Sequence, residues 1–237
     1  MILKNKILII NKKIKIIEME TKQGKKESKD ILEQKKTDIP ISSVKFADSW
    51  TFWENYESKS SELAYQDTNK QIFKWNDIIS FFQFWNKYPG NSPKNIFYDG
   101  KNIKYFFKEK LRIISMNIFK EGIKPLWEDE NNNGGKFLKL EYQIKNVSRI
   151  EEFFKAASLQ WEKLALCAMG RSLPGAKFIN GIRFVDKTNF KKGNQIMFRI
   201  EIWVSKKIEE NILNKLKEVV GKNLGCENVI VQDIKVN

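Results

Sequence analysis

Residues 122–135 read GIKPLWEDENNNGG, and the side chains there best suited to chemistry are Trp127 and Glu128. An indole face next to a carboxylate suits a planar, positively charged ring that also donates hydrogen bonds from one edge. Such a ring stacks on indole through dispersion and cation–π attraction, while the carboxylate accepts two parallel N–H bonds. The alternative is a core tryptophan beside a solvated acidic turn, because charge runs are usually surface. Asp129 and Glu130 fit such a solvated turn ahead of Gly134 and Gly135.

The acidic run stands out in a chain of 237 residues with a formal net charge of +14. That basicity suits an anionic partner such as nucleic acid or a membrane surface. Lys far outnumbers Arg, however, and a Lys-, Asn- and Ile-rich profile also follows from biased base composition in a genome. The complete lack of histidine excludes histidine triads, zinc sites with histidine ligands and His-based acid–base catalysis. With neither a Lys-centred nucleotidyl-transfer motif nor a Gly-rich phosphate loop, no enzyme and no cofactor or metal is expected. Cys167 and Cys226 are too few and too far apart for a disulfide scaffold, and Cys167 reads as a buried thiol in an apolar helical run.

The elements that must position Trp127 and Glu128 begin near residue 44. Residues 1–43 combine a lysine-broken Ile/Lys segment, a weak targeting signal or a basic arm, with a polar run lacking apolar period; they are expected to be a disordered tail. A single domain is expected over 44–237. KFADSWTFWENY reads as a strand. A helix over NDIISFFQFWNKYPG is predicted with Asn76 as its cap and Pro89-Gly90 as its stop. Ser148 and Glu151 predict a capping box for a second helix, with Ile150, Phe153, Phe154, Ala157, Trp161, Leu164 and Ala168 on the buried face up to Gly170. A third helix is predicted over 206–225 with Ile208, Ile212, Leu216 and Val219 inward. Strand-like runs lie at 136–144, 177–185, 195–204 and 228–236, and YDGKN suggests a further hairpin turn. Strands follow one another in pairs, so the fold class expected is α+β: an antiparallel sheet with helices on one face.

A guanine methylated at N7 has both features demanded by a Trp-Glu pair: a cationic ring, and N1–H and N2–H₂ donors along one edge. The stretch FKEGIKPLWEDENNNGGKF at 119–137 closely resembles the signature loop of the translation initiation factor 4E family, which binds the 7-methylguanosine cap of mRNA. WTFW at 50–53, FFQFWNKY at 81–88, WEKLALCAMG at 161–170 and RIEIWVS at 199–205 are similar to further family elements, so the resemblance covers roughly 44–237. It implies a curved antiparallel sheet with about three long helices on its convex face, in a cytoplasmic, non-membrane protein of translation initiation.

The resemblance also implies roles. Trp127 would form one slice of an aromatic sandwich and Glu128 would take the guanine N1 and N2 donors. Tyr65, followed by Gln66, would be the second slice, where the family normally has tryptophan; a tyrosine there resembles the family's divergent homologous branch, which includes repressors. Trp203 would lie near the methyl group, and Arg183, Arg199 and Lys136 would serve the phosphates. Lys187, Lys191 and Lys192 read as solvated lysines.

For protein partners, a scaffold initiation factor or another helical-motif protein, the implied convex surface is Val44, Ile78, Phe82, Glu162, Lys163 and Leu166. Phe82 replaces a tryptophan there and Glu162-Lys163 replaces Leu-Glu, so altered partner choice is expected.

Overall fold

Alternating side chains define the architecture. β1 (Lys45–Tyr56), β2 (Asn69–Asp77), β4 (Leu111–Lys120), β5 (Lys136–Ile144), β6 (Ile179–Asp186), β7 (Ile196–Val204) and β8 (Ile230–Asp233) form one antiparallel sheet in the order β2-β1-β4-β6-β7-β5-β8. A two-residue strand, β3 (Phe107–Lys108), pairs with β4 off this path. The structure, a computed structural model, describes residues 44–57, 68–88, 91–98, 107–108, 111–144, 147–188, 196–225 and 229–234, all within the unit Ile41–Asn237. Tyr65, Lys191, Lys192, Cys226, most of the YDGKN turn and the whole of 1–43 lie outside the described residues.

The helices α1 (Ile78–Lys87), α2 (Pro93–Phe97), α3 (Ile150–Met169) and α4 (Glu210–Leu224) complete the α+β fold, with the three long ones on the convex face of the curved sheet. One sheet face is apolar and meets the helices. Phe52 packs against Phe84 and Tyr88 of α1 and its cap, with ring centres 5.3 and 4.9 Å apart. From α3, Trp161 meets Phe184 at 6.1 Å and Phe154 meets Phe198 at 5.0 Å. Each fully buried phenylalanine here contributes roughly 2–3 kcal/mol.

Several boundaries differ from the sequence reading for local reasons. Asp77, not Asn76, caps α1: its carboxylate accepts the Ser80 N–H at 2.8 Å and the Ser80 hydroxyl at 2.7 Å. α3 starts one residue later than the Ser148/Glu151 capping box predicts, with residues 147–149 in a 3₁₀ turn and Arg149 at its cap. In α4 the fully buried positions are Leu213, Leu216 and Val220, while Ile212 and Val219 lie half-buried beside them. Cys167 is half-buried, not enclosed. A short helix, α2, precedes the segment expected to be a hairpin.

The other sheet face is unusual for a core. Strand register aligns three rows of side chains across β1, β4, β6, β7 and β5: Thr51, Phe119, Gly181, Trp203 and Phe137; then Trp53, Asn117, Arg183, Glu201 and Lys139; then Asn55, Ser115, Val185, Arg199 and Glu141. The first row is mostly apolar and the other two mostly polar or charged.

Candidate ligand-binding site

The loop carrying Trp127 joins β4 to β5 and is held by its own side chains. Asp129 is the hub: one carboxylate oxygen accepts the Lys124 backbone N–H at 2.8 Å, the other accepts the backbone N–H of Asn131 at 3.0 Å and its side-chain amide at 3.1 Å. Asn132, fully buried, donates its amide to the carbonyls of Lys124 and Leu126, both at 2.8 Å. Asn180, at the start of β6, donates to the Asn131 carbonyl at 2.7 Å and the Asn132 side-chain oxygen at 3.0 Å. The loop is thereby stapled to the sheet. Its end abuts β7 closely: a Cβ at Gly135 would come within 2.3 Å of the Val204 carbonyl, so only glycine fits.

This framework leaves Trp127 and Glu128 side by side and outward. Trp127 is 48% exposed, which excludes the core-tryptophan alternative, and Glu128 beside it is exposed as well. Asp129, expected in a solvated turn, instead builds the loop, whereas Glu130 is exposed as expected.

Beneath the loop, the sheet face concentrates charge. Arg183 donates Nε to the Asn117 side-chain oxygen at 2.9 Å and reaches Glu201 with a terminal nitrogen at 3.4 Å. Glu201, 2% exposed, also accepts the Trp203 indole N–H at 2.8 Å. Its other oxygen lies 2.8 Å from Arg199 Nε, an ion pair whose N–H does not point squarely at the oxygen. Arg199 also approaches Glu141 at 3.6 Å, and Glu141 pairs with Lys139 at 3.2 Å. At the far end of β6, Asp186 is committed to Arg112 and to the Thr188 N–H. Lys187 follows, its pKa held below the ordinary lysine value chiefly by loss of solvent and then by the positive charge of Arg199. Asn117 Nδ2, Trp53 Nε1 and Asn55 Oδ1 are buried on this face without a hydrogen-bond partner among the described residues.

The structure gathers some of the sequence-predicted residues and separates others. Arg183 and Arg199 share a face and one carboxylate. Lys136 does not join them: strand alternation turns it to the opposite face, where it pairs with Glu210 at 3.2 Å. Lys139 and Lys187 are the lysines that accompany the arginines, and Lys187 is exposed, in keeping with a solvated lysine. Trp203 shares their face but is fully buried, with Phe119 edge-on at 5.5 Å, Phe137 stacked at 6.0 Å and the Arg183 guanidinium over its ring. No surface is left on it for a methyl contact. On the convex side Val44 is exposed, Ile78, Glu162, Lys163 and Leu166 are half-buried, and Glu162 accepts the Trp85 indole N–H at 3.4 Å. Phe82, expected to face a partner, is 2% exposed because its ring packs edge-on to Phe81 at 5.0 Å. Glu201 was missed altogether, although an acidic residue two positions from both Arg199 and Trp203 in a strand must share their face.

A family model described as Eukaryotic initiation factor 4E matches residues 45–232. The chain belongs to that family. Among initiation factor 4E relatives, Eukaryotic translation initiation factor 4E-2 of Arabidopsis thaliana is 27% identical over 230 residues, covering 94% of this chain and 81% of the relative. Solved 4E structures share the fold: Ascaris suum eIF4E-3 with m7G cap superposes with a TM-score of 0.58 at 16% identity, covering 82% of this chain and 93% of that one. Schistosome eIF4E complexed with m7GpppA and 4E-BP gives a TM-score of 0.57 at 15% identity, covering 81% and 88%.

Proposed function

We propose that this initiation factor 4E family member binds the 7-methylguanosine cap of mRNA and acts in translation initiation by presenting capped mRNA to the initiation machinery in the cytoplasm. The observation that carries the reading is the rigid loop that holds out an exposed indole, Trp127, directly beside an exposed carboxylate, Glu128. A cationic methylated guanine stacks on the indole while its N1–H and N2–H₂ donate to Glu128; unmethylated guanine lacks the charge that strengthens the stack. Tyr65 supplies the second stacking face. Arg199 and Arg183, with Lys187 at the rim, meet the phosphate chain through charge-assisted hydrogen bonds. Nothing in this arrangement requires covalent chemistry: the role is binding. Relatives have been solved with cap compounds and with 4E-BP, which supports capped mRNA and helical-motif proteins as the partners. Among the described residues no helix is long and apolar enough to cross a membrane.

Retention on immobilised 7-methyl-GTP tests this. Free 7-methyl-GTP should elute the protein and GTP should not; equal competition by the two rules the reading out.

A second reading, a cap-binding repressor that does not engage the scaffold initiation factor, is favoured by one observation, the burial of Phe82. Cap-column eluates decide between the two. Scaffold factor and ribosomal subunits recovered with the protein identify an initiator, and their absence identifies the repressor.

A further inference from the structure

Glu201 occupies the place where an anion belongs. It lies 2% exposed between two arginines, with Arg183 reaching one oxygen at 3.4 Å and Arg199 Nε 2.8 Å from the other. These are the same two cations that the cap-binding reading assigns to the phosphate chain. Buried guanidinium groups need a counter-charge, and here the protein provides its own. From the same strand face Trp203 adds its N–H to this carboxylate, so Glu201 is held by two hydrogen-bond donors, Arg183 and Trp203, and by the Arg199 ion pair.

We infer that Glu201 is an internal counter-anion that competes with the phosphate chain for Arg183 and Arg199 and so sets how strongly this protein reads phosphate, as distinct from base. A phosphate group approaching the face must pull a guanidinium away from a carboxylate already in place, and its gain is the difference between the two ion pairs. Removing the negative charge at Glu201 leaves buried Arg183 without its counter-charge and half-buried Arg199 beside it with only Glu141, at 3.6 Å. An arriving phosphate then relieves their repulsion as well as forming its own bonds. The neighbouring Asn117 offers the opposite change. Its side-chain oxygen already accepts Arg183 Nε at 2.9 Å while its Nδ2 has no partner among the described residues. Aspartate at that position fits the same space, loses an unsatisfied donor and adds a second internal anion.

The nucleotide in this inference rests on the cap-binding reading; the anion site does not, and the test separates them. Wild type, Glu201→Gln and Asn117→Asp are titrated with 7-methyl-GMP and 7-methyl-GTP by tryptophan quenching, and with inorganic tripolyphosphate by thermal shift. Glu201→Gln should raise the preference for the triphosphate over the monophosphate nucleotide by about tenfold, the loss of one close charge pair. It should also gain a larger thermal shift from tripolyphosphate than wild type. Asn117→Asp should lower both. Unchanged preferences and shifts in both variants, or a fall in Glu201→Gln, overturn the inference and leave Glu201 as a positioning residue only. Should Glu201→Gln fail to fold, Asn117→Asp still decides by the direction of its change. Tripolyphosphate shifts as expected without binding of either nucleotide uphold the anion site and sink the cap reading.

Discussion

The guanidinium carbon of Arg183 sits 5.2 Å from the centre of the Trp203 ring, and both side chains donate to the same carboxylate, Glu201. The indole thus supports the arginine from below while Glu201 holds it from the side. A cation over a desolvated indole gains about 2 kcal/mol. Arg183→Met should retain much of the packing on Trp203 while leaving Glu201 and the Asn117 oxygen short of a donor. The expected loss is about 3 kcal/mol of stability, the usual result of removing one partner from a buried ion pair. Urea unfolding measures it, and a loss under about 1 kcal/mol would place this pair with weak surface bridges.

Trp127→Ala should separate binding from folding. The side chain is half exposed, so its removal should change stability by less than about 0.5 kcal/mol. Loss of its stacking should weaken cap binding by about 1–3 kcal/mol. Glu128→Gln should have a similar effect on binding, about 1.5–3 kcal/mol, by removing the charge from two hydrogen bonds. Circular dichroism and cap-analogue titration of the two variants read both quantities.

Two adjacent acidic residues should behave oppositely. Asp129→Ala removes acceptors from the Lys124 and Asn131 N–H groups, loosening the loop, and should weaken cap binding severalfold although Asp129 faces away from the ligand. Glu130→Ala, on an exposed side chain, should leave binding and stability within error. Proteolysis of the loop alongside the titration distinguishes loosening from a direct contact.

The cap of α1 should leave a pH signature. Asp77 has its pKa lowered by the Ser80 backbone N–H first and the Ser80 hydroxyl next. A carboxylate with a depressed folded pKa adds stability above its unfolded pKa of about 3.9 and loses it as the pH falls through the lower folded value. Asp77→Ala should therefore cost about 1 kcal/mol at neutral pH, and the gap between wild type and variant should begin to narrow below about pH 3.9 and close as the pH falls through the lower folded value, where the wild-type carboxyl protonates. Denaturation midpoints at neutral and acid pH check the sign.

Much of this organisation was legible from residue type and order. β1 and α3 could be read because their apolar periods are long and clean, and Trp127-Glu128 because its chemistry is specific. The α1 cap was misassigned by one residue because Asn76 and Asp77 are both competent acceptors, and only the backbone geometry selects between them. β4 went unread: LRIISMNIFK mixes buried asparagine and serine with apolar side chains, so its alternation is between two buried faces. The same difficulty hid the polar rows. Asn117, Arg183 and Glu201 become neighbours through strand register, which a linear sequence does not state. Lys136 was misplaced for the converse reason, since nearness to Gly134-Gly135 in the chain says nothing about which face a strand residue takes.

One hydrogen bond gives the assembly a direction in time. The Ile234 N–H donates to the Gly135 carbonyl at 2.9 Å, and β8 lies along β5 with Asp233 opposite Lys136. The exit of the Trp127 loop is therefore closed by residues about a hundred positions later in the chain. A nascent chain already holding Trp127, Glu128, Arg183 and Arg199 still lacks the clasp that completes the loop. The loop exit can be clasped only once Ile234 has been made.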